Sequence, residues 1–241
     1  SRGLGKNSAI QLAKRDFDVI ITYQTKKADA EAVVAEINAI GKKAFALQLD
    51  ISSTAGFDQF TAQVSALLAN NFDGAKLSAL VNNAGVGINI PFNETTEEAL
   101  DAMTNIHFKG PYFLTQKLLP LLNDASSIVN TSSGLARFSF AGYSAYGAMK
   151  AAVDSLSRYQ ALELGSRKIR VNSVAPGAIE TDFGGGFVRD NTDVNQMLAG
   201  HTALGRVGLP DDIGSVVAFL CTDDSKWINA QRIEVAGGFM I

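Results

Sequence analysis

Short apolar runs of strand length recur along this chain, and each ends on a cluster of small or polar residues before an amphipathic stretch begins. The runs are residues 18–23 (DVIITY), 44–49, 77–81, 127–131, 169–174 and 232–235. Between them lie segments with apolar residues three and four apart, as in Val33, Val34, Ile37 and Ile40, a stripe that Gly41 closes. Strands alternating with helices over a whole chain build βαβ units. The expected fold is therefore α/β, a doubly wound parallel sheet with helices on both faces. Ligands of such sheets bind outside the carboxyl ends of the strands. Asp50, Asn82-Asn83-Ala84-Gly85, Ser132-Ser133 and the stretch 176–181 all follow strands directly, so they gather on one rim.

The helices have their own signals. Thr95 with Glu98 reads as a capping box, a long apolar helix is expected over 108–122 and another over 143–164. Pro210 with Asp211 and Asp212 opens a further helix that runs to Phe219. The N-terminus is unusual, because Ser1-Arg2-Gly3-Leu4-Gly5 is a Gly-rich turn with no strand before it. A central strand cannot be absent without unpaired backbone on both neighbours. The expectation is that a first strand and an earlier glycine precede Ser1 in the working protein. With 241 residues, 46% of them apolar, the chain reads as one domain over 1–241.

Composition narrows the function. A net charge of −3 and the lack of a dense Lys/Arg stripe argue against a nucleic-acid surface. No apolar run approaches the length that spans a membrane. The single Cys221 excludes an intrachain disulfide and points to a reducing, cytoplasmic setting. His107 and His201 stand too far apart to suggest a metal site.

The chemistry-bearing stretch is 133–150, SGLARFSFAGYSAYGAMK. Tyr146 and Lys150 are four apart, so one helix face carries both. A free phenol has a pKa of about 10, and a fixed ammonium beside it favours the phenolate. Bringing the phenol near 7 takes roughly 4 kcal/mol, at about 1.36 kcal/mol per unit. Ser133, thirteen residues upstream, could hold a substrate oxygen against the phenol.

With these residues in register, the chain resembles the short-chain dehydrogenase/reductase family, and within it the 3-oxoacyl-carrier-protein reductases, apart from the first strand. The resemblance implies a Rossmann fold, a Ser133, Tyr146 and Lys150 site, and hydride transfer from a nicotinamide cofactor to a carbonyl. It makes Ser1, Arg2, Gly3, Leu4 and Gly5 the tail of the TGxxxGxG turn, where backbone and helix N-terminus meet the pyrophosphate. It assigns Asp50 and Ile51 to the adenine, and Asn83, Ala84 and Gly85 to the NAG turn that supports the cofactor. Pro176, Gly177, Ile179 and Thr181 fall to the nicotinamide half, and Lys150 also grips the ribose. The family's fourth catalytic position is an Asn in N-x-x-G. Counting back from Gly110 gives His107 here, with Asn105 as a second candidate; the family's Asn works largely through its main-chain carbonyl, which His107 retains.

NADP(H) is expected over NAD(H). The second-strand end carries Tyr23, Gln24, Thr25, Lys26 and Lys27, with no carboxylate to repel a 2′-phosphate, and Arg2 is placed to bind one. Residues 183–204, with three successive glycines from Gly184, read as a mobile lid. Phe183, Phe187, Met197 and Leu198, with Phe138 and Phe140 opposite, suggest an apolar pocket for a ketone, a 3-oxoacyl thioester or a quinone-like compound. The resemblance also implies a homotetramer or homodimer built through the long helices. A cofactor-binding sensor and a redox-neutral epimerase or dehydratase are the alternatives, and the intact Ser, Tyr and Lys weigh against the sensor.

Overall fold

The computed structural model describes residues 2–241; Ser1, expected among the cofactor contacts, lies outside them. In chain order the elements are α1 (Gly3–Ala13), β1 (Val19–Tyr23), α2 (Lys27–Ala39), β2 (Ala44–Gln48), α3 (Phe57–Asn71) and β3 (Leu77–Asn82). Next come α4 (Glu97–Thr104), α5 (Gly110–Leu118), β4 (Leu122–Thr131), α6 (Ser144–Glu163) and β5 (Arg170–Pro176). The chain ends with α7 (Phe187–Asp190), α8 (Thr192–Gly200), α9 (Pro210–Cys221) and β6 (Arg232–Val235). Every strand pairing is parallel, as the alternation requires. β5 is buried along its whole length, the condition of a strand covered on both faces.

The sheet is not continuous. β1 pairs only with β2, while β3, β4, β5 and β6 form a second sheet in that order. Between β1 and β3 runs a cleft of about 630 Å³ lined by Val19 to Thr22 on one side and Leu77 to Asn82 on the other. Among the described residues no strand stands between them. Packing, not pairing, joins the two sheets. One apolar cluster links Val19 and Ile21 to Val129 and Val174 through α1 and α9. On the opposite face Phe57, Phe60 and Val64 of α3, with Leu114 and Leu118 of α5, pack against Ile20 and Leu47 as well as Leu77 and Leu80.

Two helix expectations are corrected. Thr96, not Thr95, caps α4, its hydroxyl accepting from the Ala99 N–H at 3.2 Å, while the Thr95 hydroxyl donates to the Pro91 carbonyl. The helix expected over 108–122 is shorter and follows a π-helical turn, Asn105–Lys109. A 3-10 turn, Leu119–Leu121, ends it, because Pro120 has no N–H to continue the ladder, and Leu122 already belongs to β4. α9 opens as expected on Pro210, with the Asp212 carboxylate accepting from the Leu209 N–H at 2.7 Å. Cys221 is buried at its end, and burial pushes the thiol up to about 12.

Candidate active site

The rim chemistry is assembled by the end of β4 and the start of α6. The Ser132 N–H donates to the Val174 carbonyl at 2.7 Å, extending the β4–β5 pairing one residue past Thr131. This fixes the backbone on which Ser133 sits. One turn apart on α6, Tyr146 and Lys150 both face inward and are buried. The Ser133 hydroxyl accepts from the Leu135 N–H at 3.2 Å and lies close enough to the Tyr146 phenol to favour its ionised form. The Lys150 ammonium donates to the Thr131 carbonyl at 2.7 Å and lies 5.6 Å from the centre of the Tyr146 ring. The three side chains named from the sequence are therefore together.

Their electrostatics differ from the sequence-based expectation. Burial pushes the Tyr146 phenol up to about 12, and the nearby Ser133 hydroxyl offsets only part of that. Burial also brings the Lys150 ammonium down to about 8, opposed by the Asp154 carboxylate one turn further along α6. These side chains by themselves hold the phenol protonated; the lowering expected of it also draws on the cofactor's cationic ring. The reason is that the site is dry and the ammonium is directed at a main-chain carbonyl, so desolvation of the phenolate outweighs attraction.

His107 is carried inward by the π-helical turn, whose Asn105 carbonyl accepts from the Gly110 N–H. A carbonyl can only accept, so Nε2 of His107 carries the proton given to the Val86 oxygen at 2.8 Å. Nδ1 is buried with no partner. Burial, then the nearby Lys150 charge, brings the imidazole down to about 3, against the Val86 hydrogen bond. The neutral ring meets Tyr146 edge to face, centres 5.1 Å apart. It rests on Gly85, where any Cβ would stand 2.8 Å from the ring.

The residues expected at the dinucleotide converge from three loops. Gly5 lies against the Asn83 amide, which a Cβ would meet at 2.8 Å, and Gly3 (φ +50°) faces Thr181, whose Cβ would be 3.5 Å from its own. Arg2 is exposed at the start of α1, which has no side-chain cap and no acidic residue in its first turn. Leu4 packs into the core beneath that turn. Tyr23 ends β1, Lys26 directly precedes α2, and Ala84 lines the mouth of the cleft beside Asn83. Pro176 ends β5 and the Gly177 N–H donates to the Val235 carbonyl at 3.2 Å. Ile179 bridges to Gly208, leading the chain to Thr181, whose hydroxyl accepts from the Phe183 N–H at 3.1 Å. Asp50 is engaged locally. Its carboxylate accepts from the Ser52 hydroxyl at 2.6 Å and from Gln24 at 3.1 Å, which hold it below the usual carboxylate range. The Ile51 carbonyl presses on Gly110, where a Cβ would meet it. Asn82 turns away from the rim and bonds Thr115 and Asn130 inside the sheet.

Over the site, Gly184, Gly185 and Gly186 all take left-handed φ, and Arg189 pairs with Asp182 and Asp190. Phe183 sits on Gly87 with its ring 5.8 Å from that of Tyr146. The other expected pocket residues divide. Phe138 and Phe140 form an aromatic cluster with Phe239, Leu198 is core, and Phe187 and Met197 are exposed. Sequence reasoning passed over Asp154, Arg232 and Glu234, which meet behind Ser133. Only Asp154 carried a signal, four residues past Lys150. Among the described residues no cluster of His, Cys, Asp or Glu suits a metal, and no helix is long and apolar enough to cross a membrane.

Known proteins with this architecture were compared with the chain. A family profile described as Enoyl-(Acyl carrier protein) reductase matches residues 1–240. The hydroxynaphthalene reductase-like protein Arp2 of Metarhizium brunneum is 34% identical, over 98% of this chain and 91% of its own. Among solved structures, the promiscuous reductase LugOII, which catalyses keto-reduction at C1 during lugdunomycin biosynthesis, superposes with a TM-score of 0.94 at 32% identity. That match covers 100% of this chain and 94% of LugOII. The angucycline C-6 ketoreductase LanV with bound NADP gives 0.93 at 32%, covering 99% and 92%.

Proposed function

This chain belongs to the short-chain dehydrogenase/reductase family and is an NADPH-dependent carbonyl reductase, and from that premise we propose that Tyr146 is its proton donor. The residues present suit the cofactor. The open first turn of α1 offers backbone N–H groups to the pyrophosphate, and Gly5 and Asn83 leave a surface that a side chain would fill. Arg2 would take the 2′-phosphate. Bound NADPH supplies the hydride to the carbonyl carbon.

The chain's own residues handle the oxygen. The Ser133 hydroxyl orients the substrate carbonyl, and Tyr146, protonated because it is buried, gives up its proton as negative charge develops there. Lys150 and Ser133 then stabilise the phenolate left behind. His107 supports the Tyr146 ring, and its main-chain carbonyl would serve the proton relay to Lys150 that the family runs through this position. The observation that carries this reading is the convergence of the Ser133 hydroxyl, the Tyr146 phenol and the Lys150 ammonium in one buried site.

The substrate reading is a flat aromatic ketone. Phe183 over Tyr146, and the Phe138, Phe140 and Phe239 cluster near Ser133, suit a fused-ring ligand. The hydroxynaphthalene and angucycline reductases among the relatives support it. Residues 183–204 would act as the lid. A homodimer or homotetramer is supported by exposed Tyr112, Phe113, Tyr159 and Leu162 on α5 and α6, and a cytoplasmic setting by the free thiol of Cys221. Tyr146→Phe tests the core of the proposal. We expect kcat to fall by about 10³-fold while the NADPH dissociation constant stays within a few-fold. A Phe variant that retains most of its turnover would defeat it.

A further inference from the structure

Behind Ser133 lies a charge network that the reduction chemistry does not use directly. Arg232, on β6, directs its guanidinium at three groups. Nε donates to Oδ2 of Asp154 at 2.8 Å, Nη1 to Oε2 of Glu234 at 2.5 Å, and Nη2 to the main-chain carbonyl of Ser133 at 2.9 Å. Asp154 is itself buried, and its other carboxylate oxygen accepts from the Ser173 hydroxyl on β5 at 2.8 Å. Arg137 adds an outer contact to Glu234 at 3.2 Å.

The connectivity is what matters. Asp154 lies one turn beyond Lys150 and two beyond Tyr146 on α6, whereas Ser133 belongs to the loop after β4. Lys150 already ties that helix to the Thr131 carbonyl, and the Ser132 hydroxyl donates to the Lys150 carbonyl, but neither bond reaches Ser133 itself. A planar guanidinium with its donors in a rigid fork adds the tie to the Ser133 carbonyl. We propose that Arg232, held by Asp154, is a positioning residue for the reduction, fixing the Ser133 backbone relative to the helix that carries Tyr146 and Lys150. The inference rests on the Ser133, Tyr146 and Lys150 reading above.

Asp154 has a second, separable effect. Lys150 faces the Tyr146 ring and Asp154 on its own helix and His107 from the π-helical turn; Arg232 and Glu234 stand behind Asp154 on β6. Asp154 is the carboxylate that opposes the loss of the Lys150 proton. If its charge is removed, the ammonium is lost at lower pH, and the basic limb of kcat against pH moves down.

The test is steady-state kinetics of the full chain with NADPH and 9,10-phenanthrenequinone, a flat aromatic diketone, on four variants. For Arg232→Lys we expect kcat to fall at least tenfold, with KM for NADPH within twofold and the basic limb unmoved, since a lysine can still neutralise Asp154 but cannot fork to Ser133. For Asp154→Asn we expect the basic limb to shift to lower pH, which a purely structural loss would not produce. Arg137→Ala should leave kcat within twofold. Arg232→Met leaves Asp154 buried without its partner and can fail to fold, which is why the lysine variant carries the decision. Wild-type kcat in Arg232→Lys overturns the positioning inference, and an unmoved limb in Asp154→Asn overturns the separate effect on Lys150. Tyr146→Phe assayed alongside separates the two readings: if that variant is inactive and Arg232→Lys is normal, only the positioning role is lost. If Tyr146→Phe is active, the proton-donor reading itself is lost.

Discussion

Strands β4 and β5 have hydrogen-bonded neighbours on both sides, whereas β1 and β3 each have one and face each other across a cleft of about 630 Å³. The two regions do different work. Ser133, Tyr146 and Lys150, with the Arg232 network behind them, stand wholly on the paired side. Gly5, Asn83 and Ala84 sit at the mouth of the cleft, so the surface assigned to the dinucleotide straddles the break. The lesson is that the proton-handling geometry depends on a continuous ladder, β3 to β6. The cofactor surface instead depends on helices α1, α9, α3 and α5 holding two sheets in place.

That contrast makes a stability prediction of unequal size. Ile128 is fully buried in β4 between Leu80 and Val171, with no room for neighbours to relax. Ile20 in β1 is half-buried and lines the cleft. Ile128→Ala should cost about 3–4 kcal/mol in urea unfolding, and Ile20→Ala about 1 kcal/mol, because less buried apolar surface is lost at a half-buried position. Equal costs would mean that Ile20 is packed as tightly as Ile128.

The sequence made the paired side legible and the break only by inference. Ser133, Tyr146 and Lys150 were found because strand ends collect on one rim and a four-residue spacing stacks side chains on one helix face. What resisted sequence reasoning was set by long-range placement. Arg232 and Asp154 are 78 positions apart and meet only once β6 lies beside β5. The rise of the Tyr146 pKa depends on how dry the site is, which no spacing reveals. His107 points inward because of a single π-helical turn, an irregularity that periodicity does not report. The one-residue error at Thr95 came from two adjacent threonines, either of which could cap.

The cofactor side is probed by a smaller effect. Arg2 is exposed at the N-terminus of α1, ahead of two glycines, and no carboxylate stands at the end of β1. Arg2→Ala should raise the dissociation constant for NADPH about tenfold, or about 1.4 kcal/mol, and leave NADH nearly unchanged. Fluorescence titration with both nucleotides distinguishes a 2′-phosphate contact from a general effect on the helix. An equal loss for the two would place Arg2 with the helix turn and remove the charge argument for NADP.

An effect of similar size lies where the two regions meet, at His107, which rests on Gly85 just past β3 and touches Tyr146 on α6. Its imidazole is brought from 6.5 down to about 3 by burial, so between those values the unfolded chain binds a proton that the folded chain does not. Stability therefore rises with pH across that window and is lost as pH falls through it. At pH 5.5, one unit below the unperturbed value, the loss from this group is about 1.4 kcal/mol relative to neutral pH. His107→Asn removes the titration, so the difference in unfolding free energy between wild type and variant should shrink by that amount from pH 7.5 to 5.5. A difference that stays constant would mean the ring keeps its proton in the folded state. The Nδ1 atom would then have found a partner, and the neutral imidazole beside the phenol would have to be given up.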